Sequence, residues 1–345
     1  MPEIPTFCNE GRAQNVTEDS SKPLGTCTSE VYLTCNLPMR FMYPNCFGCA
    51  AYSDDHFFVR INNLLYLELE NLGITDISAN AFTEVKNASS LYLRDNELSI
   101  IPKGFCRVMD QLTYLDLCNN SISAIEDGGL AMLTNLETLL LDYNNLTDFQ
   151  PGVWKGLSNL HELYLTNNSV VLRKNMFKGL KHLETLALDA NKITKIPVGT
   201  FNGLPHLDLL YLSRNMLSTL NAEVFRTIGE VNELDLGRNY ISIIPTAIFK
   251  YLKNLDSLWL NGNQVATLQA SAFEGLENLS SLFLNSNEFQ SVELSAFALM
   301  KNVTIEPGFR LGGSLITNFN HLRGRFRCTS NDYQEPYDCE RIENL

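Results

Sequence analysis

The feature that most constrains this chain is an asparagine that returns at an almost constant interval. The interval is 24 residues, except for one step of 23 between Asn168 and Asn191. The series consists of Asn96, Asn120, Asn144, Asn168, Asn191, Asn215, Asn239, Asn263 and Asn287. Stepping back 24 residues from Asn96 reaches Leu72, so a first, atypical repeat lacks its asparagine. A fixed period of this length indicates a solenoid, in which each unit stacks only on its neighbours.

Each repeat follows the text L-x-x-L-x-L-x-x-N-x-L-x-x-I-P-x-x-x-F, which residues 183–201 show nearly complete. In the L-x-L core the apolar residues alternate with period two, which predicts a short strand with inward leucines. One coil cannot bury its apolar face alone, whereas stacked coils bury it and pair their strands into a parallel sheet. We predict one curved sheet with strands centred on Leu67, Leu91, Leu115, Leu139, Leu163, Leu186, Leu210, Leu234, Leu258 and Leu282.

Two other positions of the repeat have predictable roles. We expect the asparagine to bond buried backbone groups of its own and the next coil, because such groups are costly if left unpaired. A late aromatic fills the far side of the coil: Phe82, Trp154, Phe177, Phe201, Phe225, Phe249, Phe273 and Phe297. Cys106 and Leu130 replace it in two repeats. Stacked along the solenoid, these side chains take up more room for each repeat than the paired strands do. We therefore expect curvature, with the strands on the concave side.

This text resembles the leucine-rich-repeat family in its 24-residue form, as found in Toll ectodomains, Slit-type guidance proteins and secreted immune receptors. The resemblance covers about residues 64–300. It implies an α/β solenoid, a horseshoe with a parallel concave β-sheet, an irregular convex side and disulfide-stapled caps. It also implies recognition of a protein ligand on the concave face. The expected domains are a cysteine-rich N-terminal cap (1–63), ten repeats (64–303) and a C-terminal cap (304–345), whose cysteine segment resembles secreted leucine-rich immune proteins of insect haemolymph.

The chain has nine cysteines, of which seven lie at its two ends: Cys8, Cys27, Cys35, Cys46, Cys49, Cys328 and Cys339. Terminal clusters favour disulfide-stapled caps in an oxidising compartment. The alternative is a metal or redox site at the C-x-x-C spacing of Cys46 and Cys49, but no second such pair or histidine pair accompanies it. We expect Cys328 to pair with Cys339, and four of the five N-terminal cysteines to form two bridges.

Because nine is odd, at least one cysteine is free or joins another molecule, which allows a dimer or a covalent partner. Cys106 lies in the aromatic slot of its coil, so we expect it to be buried and inert. Cys118 follows the second leucine of its strand, so alternation turns it outward and should make it the more reactive thiol. The two lie on opposite sides of the coil and should not bond to each other.

Apolar runs, the first residues, the sequons and the cysteines all bear on the location of the protein. No apolar run is long enough to span a bilayer, and the first five residues are not a signal peptide. The chain is therefore cytosolic, or a mature secreted protein or ectodomain with an added Met1. Glycosylation sequons, together with the cysteines, favour the extracellular reading; they begin at Asn15, Asn87, Asn119, Asn145, Asn167, Asn278 and Asn302.

The repeat register identifies the side chains that should face outward from the strands. We predict a binding surface at Tyr66, Tyr92, Tyr114, Asp116, Tyr164, Tyr211, Asp235, Trp259 and Phe283. Contiguous exposed aromatics mark interfaces, and Tyr and Trp are enriched at binding hot spots. The alternative is that aromatics suit strands and simply stack across neighbouring rungs. The N-terminal half suits a partner with basic groups, and the C-terminal end suits a less polar anchor.

Several functional classes are disfavoured. The net charge of −13 disfavours nucleic acid as a partner, since neutralising phosphates requires a basic face. The chain lacks a Gly-rich phosphate loop, a G-x-S-x-G elbow and an H-E-x-x-H helix, so we expect no enzyme, cofactor or metal. His161, His182 and His206 adjoin the first leucine of their repeats, an ordinary surface position. The leading hypothesis is an extracellular recognition protein, innate-immune or receptor-like; the alternative is a structural or adhesive matrix protein.

Overall fold

The computed structural model describes residues 66–77, 82, 87–300 (apart from the side chain of Leu294) and 303–306 in full. Near the two ends it describes only the backbone of further strands: Val31–Cys35, Ala50–Ser53, His56–Val59, Phe309–Leu311, Ser314–Ile316, Arg325–Thr329 and Tyr337–Ile342. The chain divides into two compact units, residues 1–160 and residues 161–345. They are called the N-terminal unit and the C-terminal unit below.

The described residues of the N-terminal unit form ten strands. In chain order they are β1 (Val31–Cys35), β2 (Ala50–Ser53), β3 (His56–Val59), β4 (Tyr66–Glu68), β5 (Ile74–Ile77), β6 (Ser90–Tyr92), β7 (Ile100–Ile101), β8 (Tyr114–Asp116), β9 (Ala124–Ile125) and β10 (Thr138–Leu140). Strands β4, β6, β8 and β10 form a parallel sheet in sequence order, and β7 pairs with β9. Strands β2, β3, β1 and β5 form an antiparallel sheet, so the cap strand β1 attaches directly to the first repeat through β5.

The other strands of the described residues lie in the C-terminal unit. They are β11 (Glu162–Tyr164), β12 (Thr185–Ala187), β13 (Leu209–Tyr211), β14 (Glu233–Asp235), β15 (Ser257–Trp259), β16 (Thr267–Leu268), β17 (Ser281–Phe283), β18 (Ser291–Glu293), β19 (Thr304–Glu306), β20 (Phe309–Leu311), β21 (Ser314–Ile316), β22 (Arg325–Thr329) and β23 (Tyr337–Ile342). Strands β11 to β15, β17 and β19 form a parallel sheet, and β16, β18, β22, β23, β20 and β21 form a second sheet. Two 3-10 turns, Ala222–Val224 and Leu294–Phe297, are the helical segments among the described residues.

The predicted strand centres are confirmed in both units: each of the ten leucines is the middle residue of its strand. Within the units these leucines pair with one another in register, as Leu210 pairs with Leu234, and all are buried. The C-terminal sheet continues for one strand more than expected, because β19 pairs in parallel with β17 and lies in the segment assigned to the C-terminal cap. Its Ile305 takes the leucine position, which is why the sheet can extend.

The asparagine ladder links each coil to the preceding coil by hydrogen bonds. The Oδ1 atom of Asn215 accepts bonds from the backbone N–H groups of Asn191 and Ile193, at 3.0 and 2.9 Å. Its Nδ2 donates to the carbonyls of Leu188 and Leu212, at 2.9 and 3.0 Å. The expectation of bonds to the next coil is therefore wrong in direction: the side chain reaches back to the preceding coil and to its own.

The far side of the coil is filled by rings, as expected from the late aromatic position. Phe249 stacks on Phe273 with ring centroids 6.4 Å apart, and Phe82 meets Phe105 edge-on at 6.2 Å. Cys106 occupies the aromatic slot of its repeat, and the preceding Phe105 supplies the ring instead; both are buried. The predicted burial of Cys106 is confirmed, and burial raises the pKa of its thiol well above its usual range, which disfavours the reactive thiolate.

The cysteines of the caps are described only in part. In the C-terminal unit, Cys328 on β22 lies directly opposite Cys339 on the antiparallel strand β23. Directly opposed antiparallel residues have Cα atoms about 4.5–5.5 Å apart, within the range that a disulfide needs. Their bond stays a prediction, because the side chains lie outside the described residues. The described residues also leave out the side chain of Cys35 and the whole of Cys8, Cys27, Cys46 and Cys49. The two N-terminal bridges and the alternative metal site at Cys46 and Cys49 therefore stay predictions as well.

Candidate ligand-binding surface

The N-terminal sheet face comprises the outward residues of β4, β6, β8 and β10 and those that follow them. Its members are Tyr66, Glu68, Glu70, Ser90, Tyr92, Arg94, Tyr114, Asp116, Cys118, Thr138, Leu140 and Asp142. Tyr66 is exposed, and Tyr92 and Tyr114 are half-buried with their ring centroids 5.2 Å apart. Burial, and then the neighbouring Asp116 charge, raise the pKa of Tyr114 to about 12. The three predicted tyrosines therefore do lie on one surface.

Asp116 differs from the prediction. The residue is only 3% exposed, although it occupies the central outward position of β8. One carboxylate oxygen accepts a bond from the backbone N–H of Cys118 at 2.9 Å. The charge of Asp116 also acts on Tyr92 and Tyr114, which carry the larger side chains of this surface. Asp116 is therefore a buried support of the N-terminal sheet face, and not an accessible ligand contact.

Charge on this face is predominantly negative. Burial, and then the neighbouring acids Asp116 and Glu68, raise the pKa of Glu70, although Arg94 opposes the shift. Arg94 is the basic residue of the face, and its Nε lies 3.2 Å from the carboxylate of Asp95. The arrangement fits the expectation that this half of the protein suits a partner with basic groups.

Cys118 also differs from the prediction in one respect. It is half-buried, whereas Cys106 is fully buried, so the expected order of exposure is confirmed. Its thiol lies 3.8 Å from a carboxylate oxygen of Asp142 and donates to it. Burial, and then the charges of Asp116 and Asp142, raise the pKa of Cys118. Since the thiolate is the reactive form, this environment suppresses the reactivity that an outward position led us to expect.

The C-terminal sheet face comprises the outward positions before, between and after the two inward residues of strands β11 to β15, β17 and β19. Its members are Glu162, Tyr164, Thr166, Thr185, Ala187, Asp189, Leu209, Tyr211, Ser213, Glu233, Asp235, Gly237, Ser257, Trp259, Asn261, Ser281, Phe283, Asn285, Thr304 and Glu306. Trp259 and Phe283 stack with centroids 5.1 Å apart and planes only 1° from parallel. Both are half-buried, and small polar residues flank them. The stacking that the alternative interpretation predicts is therefore present, together with accessible aromatic surface.

A polar cluster that sequence reasoning did not single out lies on the same face. Ser213 donates its backbone N–H and its hydroxyl to Oδ1 of Asp189, at 2.8 and 2.7 Å. One strand further on, the N–H of Gly237 donates to Oδ1 of Asp235 at 2.7 Å. Burial raises the pKa values of both carboxyl groups, and these hydrogen bonds and Arg214 oppose the shift. The signal was available, since Asp189, Ser213 and Gly237 occupy the same outward position in consecutive repeats.

Tyr211 lies beside this cluster. Its hydroxyl donates to Oε2 of Glu233 at 3.2 Å. Burial, and then Glu233, raise the pKa of Tyr211 to about 12. Tyr164 is half-buried on β11, and the buried Ala187 lies between the two tyrosines. The predicted residues Tyr211, Asp235, Trp259 and Phe283 therefore form one contiguous series, and Ala187 separates Tyr164 from it.

Five of the predicted glycosylation sites fall among the described residues. Asn87, Asn119, Asn145 and Asn278 are exposed, and Asn167 is half-buried. The amide Nδ2 of Asn119 donates to Asp95 at 2.7 Å. Asn15 and Asn302 lie outside the described residues. Glycan attachment at all seven stays a prediction.

The described part of the chain shows neither the geometry of a metal site nor that of a membrane-spanning helix. There, no group of three or more His, Cys, Asp or Glu side chains is arranged to hold a metal ion. No helix within those same residues is long and apolar enough to cross a membrane. The rings of His161, His182 and His206 form a surface row with centroids 6.3 and 6.4 Å apart, and His206 contacts Glu230 at 3.3 Å.

The repeats match the model of the family described as leucine rich repeat, in overlapping segments at 110–170, 167–217, 181–241, 210–265, 229–289 and 253–305. These segments span more than half of the chain, so the protein belongs to the leucine-rich-repeat family. No curated protein sequence matches the chain.

Solved structures share the fold. A chain of the Toll–Spatzle complex, from work on Drosophila development and innate immunity, is 23% identical with a TM-score of 0.58, over 68% of this chain and 35% of its own. A chain of the TLR13–ssRNA13 complex is 25% identical with a TM-score of 0.58, over 72% of this chain and 40% of its own. A chain of the octameric complex of Latrophilin 3, Unc5D and FLRT2 (LRR) is 23% identical with a TM-score of 0.54, over 67% of this chain and 79% of its own. This protein therefore spans only about a third to two-fifths of the Toll and TLR13 chains.

Proposed function

We propose that this protein is an extracellular, receptor-like or innate-immune recognition protein that binds a protein ligand on its sheet faces. The observation that carries the proposal is the stacked, half-buried pair Trp259 and Phe283 on the outward side of a parallel sheet. Rigid aromatic side chains supply large contact areas at low entropic cost, which is why they dominate binding energy at interfaces. Repeat scaffolds present such side chains on an extended surface.

The structural neighbours support a binding role of this kind. Toll appears in complex with Spatzle, and the FLRT2 leucine-rich repeats appear in an assembly with Latrophilin 3 and Unc5D. TLR13 appears with single-stranded RNA. For this chain we favour a protein over a nucleic acid, because phosphate backbones require a basic surface. Both sheet faces here are acidic, and the net charge is −13.

The extracellular assignment rests on the caps and the sequons. The opposed positions of Cys328 and Cys339 suit a disulfide, and disulfides persist mainly in oxidising compartments. Peptide mapping of the native protein without reduction tests this part of the proposal. We expect a Cys328–Cys339 bridge and two bridges among the five N-terminal cysteines. Free thiols at all nine cysteines would contradict an extracellular location.

The binding role is tested in two steps. A pull-down from extracellular fluid of the source organism, with the intact chain as bait, identifies a candidate ligand, whose Kd is then measured in purified form. We expect Trp259→Ala and Tyr211→Ala to weaken binding about 30-fold, since hot-spot truncations cost about 2 kcal/mol. Tyr164→Ala should have a smaller effect, because Tyr164 stands apart from the main series.

The matched control is Tyr240→Ala. Tyr240 is 51% exposed but follows the ladder residue Asn239, away from the outward strand positions. It should leave the Kd unchanged, and circular dichroism should show that every variant is folded. If binding survives all three sheet-face substitutions, the sheet faces are not the binding surface, and the loops or caps carry recognition instead.

A further inference from the structure

We propose that the ligand anchors itself on the C-terminal sheet face with an arginine or lysine side chain, whose cationic head lies against Asp235 and Asp189 and whose stem lies along Tyr211 and Trp259. This inference rests on the proposed function and specifies the chemistry of the partner. The docking surface is the outward face of a sheet, and its occupant is a basic segment of a protein.

Charge complementarity is the first argument for this occupant. The C-terminal sheet face carries five carboxylates, Glu162, Asp189, Glu233, Asp235 and Glu306, and no outward position of its strands is a lysine or arginine. A surface with one sign of charge attracts the opposite sign and rejects its own. Its aromatic rings exclude water, which makes each remaining charge more effective than it would be in bulk solvent.

The state of the two aspartates is the second argument. All of their hydrogen bonds described above use Oδ1, from Ser213 to Asp189 and from Gly237 to Asp235. A carboxylate has two oxygens and about four lone-pair sites, so each aspartate keeps acceptor capacity for an incoming donor. Burial raises the pKa values of both groups, so their negative charges are poorly solvated. A partly desolvated carboxylate gains the most from a cation that approaches with its own hydrogen-bond donors.

The nearest basic side chain of the protein does not already fill this role. Arg214 lowers the pKa values of both aspartates from a distance. However, its side chain is exposed and forms no ion pair with a described residue. The two carboxylates therefore lack the close counter-charge that buried acids normally acquire.

The aromatic residues define the shape of the cation. Asp235 on β14 lies in register with Tyr211 on β13 and with Trp259 on β15, so a ring stands on each side of it. Neighbouring strands are about 4.8 Å apart, which puts both rings within reach of one ligand side chain. An arginine or lysine matches this arrangement, because its aliphatic stem packs on apolar surface and its head adds a cation–π attraction. A bare metal ion has no aliphatic stem to pack on these rings.

Synthetic peptides test the proposal directly. The probe is an extended nine-residue peptide that alternates arginine and leucine, and the comparison is the same peptide with citrulline in place of arginine. Citrulline keeps the shape and removes the charge. Binding to the intact chain is measured by fluorescence anisotropy at two salt concentrations. We expect the arginine peptide to bind at least tenfold more tightly than the citrulline peptide, and to weaken as salt is added.

Substitutions locate the site. Asp235→Asn and Asp189→Asn keep an oxygen that accepts the Gly237 and Ser213 bonds, so the fold is retained while the charge is lost. Each should weaken the arginine peptide at least fivefold, whereas Glu274→Gln, at an exposed position off the sheet face, should not. Equal affinities of the two peptides, no measurable binding of the arginine peptide, or equal weakening by Glu274→Gln would overturn the proposal.

Binding of the natural ligand to the substituted variants distinguishes a failure of this inference from a failure of the proposed function. If Trp259→Ala abolishes its binding but Asp235→Asn and Asp189→Asn do not, the sheet face binds a ligand without a cationic anchor, and only the inference fails. If none of the three substitutions affects it, the proposed function fails as well.

Discussion

The N-terminal and C-terminal sheet faces are built on the same repeat, but they place their charges and rings differently. On the N-terminal face, Tyr92 and Tyr114 are tilted by 39° and share their surroundings with Arg94 and several acids. On the C-terminal face, Trp259 and Phe283 are parallel to within 1° and are flanked by serines and asparagines. The inward leucines fix which positions face outward. The residues at those positions then decide whether aromatic rings and charged groups lie intermingled or apart on the surface.

The asparagine ladder is shared by both units and should give the largest effect. Asn215→Ala removes the partners of two buried N–H groups and two buried carbonyls, so we expect a loss of about 3 kcal/mol in the free energy of unfolding. Asn120→Ala in the N-terminal unit should cost about 1–2 kcal/mol, because Asn120 is half-buried. Denaturant unfolding measures both.

The exposed Asn254 provides the control for the ladder. Asn254→Ala should change the free energy of unfolding by less than about 0.5 kcal/mol, as surface substitutions usually do. If Asn215→Ala and Asn254→Ala were equally stable, the ladder would not be a source of stability.

Thiol labelling compares two sites within the N-terminal unit. We expect Cys118 to react before Cys106, since Cys118 is half-buried and Cys106 is fully buried. Labelling of Cys118 should still be much slower than that of a free cysteine at the same pH, because Asp116 and Asp142 raise its pKa. Asp142→Asn should accelerate it severalfold by removing one of these charges. Preferential labelling of Cys106 would show that the assigned register is wrong.

Neutralising a charge on the C-terminal face should raise stability, whereas the ladder substitutions lower it, and the change should be smaller than theirs. The pKa of Asp235 is raised in the folded state, so above that pKa the native protein holds a poorly solvated charge at a cost. Asp235→Asn should therefore melt at a slightly higher temperature than the wild type at pH 7. The difference should shrink as the pH falls through the raised pKa, because the wild-type carboxyl then protonates. A lower melting temperature of the variant at pH 7 would contradict this prediction.

The tyrosines should give the smallest effect at neutral pH, where they are protonated in both the folded and the unfolded chain. The pKa values of Tyr114 and Tyr211 are raised to about 12 from an ordinary value of 10.0. Their contribution to stability should be complete below pH 10 and should be lost as the pH rises towards 12, because the unfolded chain ionises first. Tyr114→Phe and Tyr211→Phe should each flatten the alkaline decline in stability, measured by denaturant unfolding between these pH values. If stability declined with pH in both variants as it does in the wild type, the raised pKa values of Tyr114 and Tyr211 would be wrong.

The sequence predicted the repeated features of the candidate site and missed its local ones. Tyr211, Trp259 and Phe283 were found because alternation around inward leucines fixes which residues face outward. Asp116 satisfied the same rule, yet it is buried. The Asp189–Ser213 contact joins residues that are one repeat apart, so the sequence places them side by side, but it does not show that the serine hydroxyl bonds the carboxylate.

The sequence by itself therefore determined the strand centres, the ladder and the outward positions, because each follows from a period that stacking imposes on every coil. The tertiary structure alone decided that Phe105 replaces the ring missing at Cys106, that β19 extends the sheet, and that Asp116 is buried. These features depend on the size and charge of side chains in neighbouring coils. Burial and pKa are properties of such neighbourhoods, and a repeat pattern does not contain them.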